Sequence, residues 1–283
     1  MNSRRIKNVK DELKGNKSAL ISIGFLIFIV VISIFAFLIP IDPDVTNTSN
    51  ILQSPSLKHL FGTDELGRDY FVRIVYGGRV SLTVGVLAMI ISTSIGVALG
   101  TISGYFGGKI DSILMRFVDL ISSIPWMILV TVISIFLKPG IQAIIIVIGL
   151  FSWMETARLV RAETLSIKER EYVLYAISIG ESSNKIIFKH IIPSVFPTII
   201  IASTSSIASA IMTESSLSFL GLGIQQPMSS WGNLLQNAQT NLQSAPYMAI
   251  LPGLLIVLTI YSFNKLGNVL RVFVEPKVSG GER

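Results

Sequence analysis

Only two histidines, His59 and His190, and no cysteine occur among the 283 residues. The side chains that most often move protons, attack carbonyls or hold zinc are therefore nearly absent. Neither histidine lies in H-E-x-x-H, and no serine lies in G-x-S-x-G, the patterns that present a zinc pair or a strained nucleophile. An intramembrane hydrolase, the enzymatic alternative, thus shows neither of these signatures. The nearest approach to a phosphate-binding loop is "SGYFGGKID", with Ser103 where the first glycine is required and Ile110 where Ser or Thr must hold magnesium. It reads as a tight turn. Three carboxylates fall near apolar stretches, Asp119, Glu155 and Glu214, and ionisable groups there are functional candidates by default. Arg116 and Asp119 stand three residues apart, a helical spacing that predicts a structural ion pair on one face.

The elements that position these groups belong to a membrane. Hydrophobic residues make up 51% of the chain and charged residues 14%, against roughly 25% charged in an average soluble domain. An uncharged apolar run of about 20 residues spans a bilayer. The first is residues 19–39, read as an uncleaved span because no small-x-small cleavage pattern follows it. Further spans are expected at 80–102, 117–137, 141–157, 199–213 and 249–270. The expectation is an all-α polytopic protein with six transmembrane helices. Residues 1–18 form an N-terminal tail and 40–79 an outer segment. Residues 80–270 form a five-helix core with a loop at 158–198 and another at 214–248, and 271–283 form a second tail.

Charge placement orients these spans. With both termini inside, the inner segments and the end of the sixth span hold 18 of the 23 Lys and Arg, leaving Lys58, Arg68, Arg73, Arg79 and Lys138 outside. Positive loops stay cytoplasmic, so the expected location is a multi-pass cell membrane protein with cytoplasmic N- and C-termini. The net charge of +6 then reflects topology. Nucleic-acid binding would need those residues on one exposed face.

Within the spans, Gly96, Gly100 and Gly104 recur every four residues and allow a second helix to approach closely. The fifth span carries Ser203, Thr204, Ser205, Ser206 and Ser209. Such hydroxyls either bond back to their own helix or face a polar path, and Ser203, Ser206 and Ser209 are the candidates for a translocation path. Pro125, Pro193, Pro197 and Pro252 each remove a donor and bend or start a helix. Between Arg68 and Arg79, Phe71, Ile74 and Val75 repeat with Arg73 opposite, a pattern that predicts a helix on the membrane surface.

The loop at 158–198 holds "REYVLYAISIG", an apolar stretch between charged flanks. Val173, Ala176 and Ile177 share a face by helical spacing, flanked by Tyr172 and Tyr175. Gly180 is placed to end this short helix in the left-handed conformation. Ser182 or Ser183 then caps another helix that Pro193 breaks. An exposed stripe of this kind is expected either to pack under its own bundle or to dock into a partner's groove.

Four blocks carry a family resemblance: "FGTDELGRDYFVRIVYGGRVSL" (61–82), "MRFVDLISSIPWMIL" (115–129), "ESSLSFLGLGIQQPMSSWGNLL" (214–235) and "APYMAILPGLLIVLTIYSFNKLGNVLRVFVEP" (245–276). The chain resembles the inner-membrane permeases of binding-protein-dependent ABC importers, in particular the second permease of the dipeptide, oligopeptide and nickel group. The loop is similar to that family's Glu-Ala-Ala–Gly–Ile-x-Leu-Pro motif, with Ala176, Gly180 and Pro193 matching and Leu174 in place of the motif glutamate. Glu171 lies one turn earlier.

The resemblance implies a type I importer membrane fold and a coupling helix made of Glu171, Tyr172, Val173, Leu174, Tyr175, Ala176, Ile177 and Gly180. It implies a second homologous permease, two cytoplasmic ATPase subunits that carry ATP-Mg, and an extracytoplasmic solute-binding protein. No cofactor is then bound by this chain, and its substrates are peptides or, alternatively, nickel or a metal chelate. A secondary transporter, the more distant alternative, would show internal repeats, and none is visible.

Overall fold

The computed structural model describes residues 16–137 and 140–274. Lys138, most of the expected N-terminal tail at 1–18 and most of the C-terminal tail at 271–283 lie outside the described residues. Among the described residues every regular element is helical.

Helix α1 (Lys17–Ile34) opens on Asn16, whose side chain accepts from the Ala19 amide at 3.2 Å. It continues as a 3₁₀ turn, Phe35–Leu38, up to Pro40. The first expected span is therefore present with nearly the expected bounds. Helix α2 (Tyr70–Phe106) has 37 residues, about 55 Å at 1.5 Å per residue, well beyond the ~30 Å of bilayer hydrocarbon. It swallows the expected surface helix, whose residues are the first turns of α2 rather than a separate element. Arg73, expected on a wetted face, is fully buried. Residues 40–69 fold over it, so its guanidinium meets Asp44 at 3.1 Å, Asp64 at 3.4 Å and the Pro43 carbonyl at 3.1 Å. Asp64 also receives Arg68 at 2.6 Å. A buried cation needs this many acceptors to offset its lost hydration.

Gly107 and Gly108, with φ of +63° and +54°, turn the chain into α3 (Gly108–Ser122). A side chain there would be strained, which accounts for the glycine pair. After residues 123–125 comes α4 (Trp126–Phe136), then α5 (Ile141–Phe151) and α6 (Met154–Lys168). Pro125 disfavours helical geometry at Ile124 and is well suited to precede a helix start. The expected third span is thus two helices in series. Five helices among the described residues are long and apolar enough to cross a membrane alone, and the fourth expected span lies within a 141–168 stretch interrupted only at 152–153.

Helix α7 (Glu171–Ser178) and the short α8 (Ser183–Ile186) lead into a π turn, Ile187–Ile191, and then α9 (Ile192–Phe219). The break expected at Pro193 does not occur. The π turn just before it is the kind of local adjustment by which helices absorb a missing donor. Glu214, expected after the fifth span, is still inside α9. Helices α10 (Trp231–Ala238) and α11 (Tyr247–Val274) complete the bundle.

Where α9 ends, Glu214 is fully buried and takes hydroxyl donors from Ser81 at 2.8 Å and Ser218 at 2.8 Å. Ser81 in turn accepts from the Trp231 amide at 3.2 Å, and the Trp231 indole donates to the Ile74 carbonyl at 3.1 Å. This knot ties α2, α9 and α10 together. The glycine ladder does what its spacing implies. Ideal Cβ atoms at Gly96, Gly100 and Gly104 would come within 2.7 Å of Thr156 Cβ, 2.5 Å of the Ala157 carbonyl oxygen and 2.7 Å of Thr164 Cβ, all on α6.

Candidate functional site

Helix α7 sits at the end of the bundle where α2 terminates. Glu171 in its first turn suits the positive end of the helix dipole. At its other end Gly180 has φ +79°, its amide reaches the Ile177 carbonyl at 3.0 Å, and the Glu181 amide reaches the Ala176 carbonyl at 3.1 Å. That double closure is the glycine-terminated helix end expected from the sequence. An added Cβ at Gly180 meets nothing within 4 Å, so only backbone strain opposes substitution. Gly180→Ala is expected to destabilise this turn by about 1 kcal/mol. Faster amide hydrogen exchange confined to residues 171–186, with unchanged exchange in α2, would check it.

The faces of α7 differ from the expected arrangement. Val173 (0% exposed) and Ala176 (3%) point into the bundle and join Tyr105, Val160, Ile167, Ile186 and Ile191 in one apolar cluster. They are anchors, not a docking surface. The bare face carries Leu174 (52% exposed) and Tyr175 (67%), with Tyr172 and Ile177 also exposed on its borders. Spacing alone pairs Ile177 with Val173 and Ala176, but α6 and α9 bury only the latter two. Tyr172 also exchanges a hydrogen bond with Ser194 at 2.9 Å, while Leu174 leaves the motif's glutamate position apolar and exposed.

Groups that the motif reading did not include hold this end in place. Glu181 accepts from Lys185 at 2.8 Å and from His190 at 3.0 Å. The Lys185 ammonium, with the His190 ring behind it, holds the Glu181 carboxyl below its usual range. In the turn that resembles a phosphate loop, Asp111 receives Arg161 Nη2 at 2.6 Å and the Ser103 hydroxyl, and the Arg161 hydrogen bond keeps its carboxyl low. Lys168 donates to the Tyr105 carbonyl at 2.6 Å. The turn is a structural splice between α2, α3 and α6.

A second feature is a cavity of about 750 Å³ where two helices are interrupted, between 121–126, 151–159 and the middle of α9. Ser206 and Ser209 line it, joined by Ser205. Ser203 does not line it: it lies off the 202, 205, 206 and 209 face of α9, and its hydroxyl bonds back to the Ile199 carbonyl at 2.8 Å. The expected Arg116–Asp119 pair is not formed. Asp119 is held instead by Arg158 from α6 at 2.9 Å, since α6 packs alongside α3 and brings a cation closer than the residue one turn back. Both partners are largely exposed, a setting in which an ion pair contributes at most about 1 kcal/mol.

Comparison with known proteins follows the same lines. The family model for the binding-protein-dependent transport system inner membrane component matches residues 96–280, and that for the N-terminal TM domain of oligopeptide transport permease C matches residues 6–55. The oligopeptide transport system permease protein OppC of Haemophilus influenzae is 40% identical, covering 96% of this chain and 88% of its own. OppC of Bacillus subtilis is 36% identical over 96% and 90%. The dipeptide transport system permease protein DppC of Bacillus subtilis is 39% identical over 94% and 84%. Among solved structures, the inward-facing MetNI methionine ABC transporter superposes with a TM-score of 0.58 at 18% identity, covering 71% of this chain and 97% of that one. An amino acid ABC transporter reaches 0.54 at 15% identity, over 71% and 94%.

Proposed function

The chain belongs to the family of inner-membrane components of binding-protein-dependent transport systems, and from that premise we propose that it is one of two permease subunits of an ATP-driven importer of oligo- or dipeptides. Its fold is the type I importer membrane-domain fold of its structural neighbours. One observation carries the mechanistic part of the proposal: α7 is anchored by Val173 and Ala176 and leaves Leu174 and Tyr175 bare. A helix with one apolar side fixed to its own bundle and the other open is suited to helix-in-groove docking.

In this reading the socket belongs to a cytoplasmic ATPase, one beneath each permease, and ATP-Mg is bound there. Closure of the two ATPases shifts α7. The anchored face passes that shift into α6 and α9, which wall the cavity. Alternation of cavity access then moves a peptide handed over by an extracytoplasmic binding protein, with a second homologous permease forming the other half of the path. Peptides are the proposed solutes because the relatives matched over nearly the whole chain are named for them.

The test is transport. Cells lacking this subunit are expected to lose ATP-dependent uptake of a labelled tripeptide and to regain it on complementation; undiminished uptake would overturn the proposal. Because the chain has no cysteine, orientation is checked with Ser178→Cys and Thr240→Cys, both exposed. An impermeant thiol reagent outside intact cells is expected to label position 240 and spare position 178.

A further inference from the structure

The cavity at the two helix interruptions has a charge pattern that the reading above does not use. Its charged lining residues among those described are Glu155 and Arg158. Arg158 is already engaged: it donates to Asp119 at 2.9 Å and to Ser122 at 3.2 Å. Glu155 is exposed to the cavity and makes no hydrogen bond or ion pair among the described residues. Around it the wall is apolar or hydroxyl-bearing, with Ser122, Ser205, Ser206 and Ser209 among the latter. Glu155 is thus the charged lining group without a partner among the described residues, ringed by groups that accept as well as donate hydrogen bonds.

We propose that Glu155 receives the protonated amino terminus of a peptide passing through this cavity, making it a specificity-determining residue of the translocation path. This rests on the peptide-importer reading. The chemistry favours that ligand group for three reasons. A carboxylate with neighbouring hydroxyls complements an ammonium, which has three donors and no acceptor. A path that serves peptides of varied sequence can rely only on what all of them share, the main chain and its termini. And a cavity of about 750 Å³ lies within the usual range of small-ligand sites, roughly 300–1,000 Å³, room for a few residues held by an end. A charge-assisted hydrogen bond is roughly twice as strong as a neutral one, and ionisable groups inside membrane proteins ordinarily mark such paths.

The experiment uses the complete transporter in proteoliposomes, with trialanine and its lactyl analogue, in which a hydroxyl replaces the ammonium. Each is supplied at concentrations that saturate the binding protein, verified by direct binding. Wild type is expected to import trialanine about 10-fold faster than the analogue. Glu155→Gln should slow trialanine about 10-fold and leave the analogue unchanged, and Glu155→Asp should restore most of the difference. Loss of both substrates in equal measure in Glu155→Gln would overturn the inference and point to a scaffold role or to a cation of the second permease as the true partner. Unchanged trialanine import would also overturn it. If the wild-type complex imports neither compound, the peptide reading itself fails, an outcome separable from failure of Glu155 alone.

Discussion

Replacing Leu174 and Tyr175 together by aspartate is expected to lower peptide import by at least about 100-fold and to abolish co-purification of the ATPase, while the subunit still reaches the membrane in normal amount. Both side chains are exposed, 52% and 67%, so their loss removes nothing from the bundle. If they fill a groove, Tyr175 is of the type enriched among the anchors that cost about 2 kcal/mol or more when truncated at an interface. That loss alone is about 30-fold in affinity. At the proposed interface, aspartate adds the desolvation of a charge. The informative control is Val173→Asp on the opposite face. Val173 is fully buried among Ile167, Ile186 and Val195, so this change is expected to reduce the amount of folded subunit itself. Normal import by the Leu174/Tyr175 double variant, measured with labelled peptide in vesicles, would remove α7 as the transmission element.

Gly100→Leu is expected to prevent the bundle from assembling. A Cβ at this position would lie 2.5 Å from the Ala157 carbonyl oxygen, 2.9 Å from Val160 Cβ and 3.0 Å from the Arg161 amide. Two of these atoms are backbone and cannot rotate away. The helices must separate, and overpacking of this kind costs about 3 kcal/mol or more, a large part of the 5–15 kcal/mol by which proteins are ordinarily stable. The readout is the thermal midpoint in detergent together with membrane abundance, and both should fall steeply. Gly24→Ala gives the contrast: its Cβ would meet nothing within 4 Å and alanine is the better helix former, so the midpoint should hold or rise. An unchanged midpoint for Gly100→Leu would mean that α2 and α6 are not held at this distance.

How much of this was readable from the residues differs from element to element. Five of the six expected spans were, because lipid demands long uncharged runs and little else imitates them, whereas 117–137 is divided at 123–125. So was a close helix contact along Gly96, Gly100 and Gly104, since glycines four apart have few other uses in an apolar helix, though not that α6 would make it. The faces of α7 were not. In an eight-residue helix with six apolar side chains, two different stripes satisfy the same spacing, and only the positions of α6 and α9 decide which is covered. Arg116 and Asp119 failed for a related reason: the spacing rule sees one helix, while Arg158 arrives from another, 39 residues along the chain. Arg73 was misread because its acceptors come from the preceding loop, residues 43–64, which carries no periodic signal. In the serine run, Ser203 was separated from Ser206 and Ser209 by orientation alone.

The interruptions at 123–125 and 152–153 have one more consequence. Each exposes helix-end carbonyls and amides that lack intrahelical partners, and such groups cannot be turned toward acyl chains. The wall that contains them must therefore face away from lipid, toward water or another polypeptide. That requirement sets the azimuth of the subunit in the bilayer: of all rotations about the membrane normal, only those that hide this seam from the hydrocarbon are permitted.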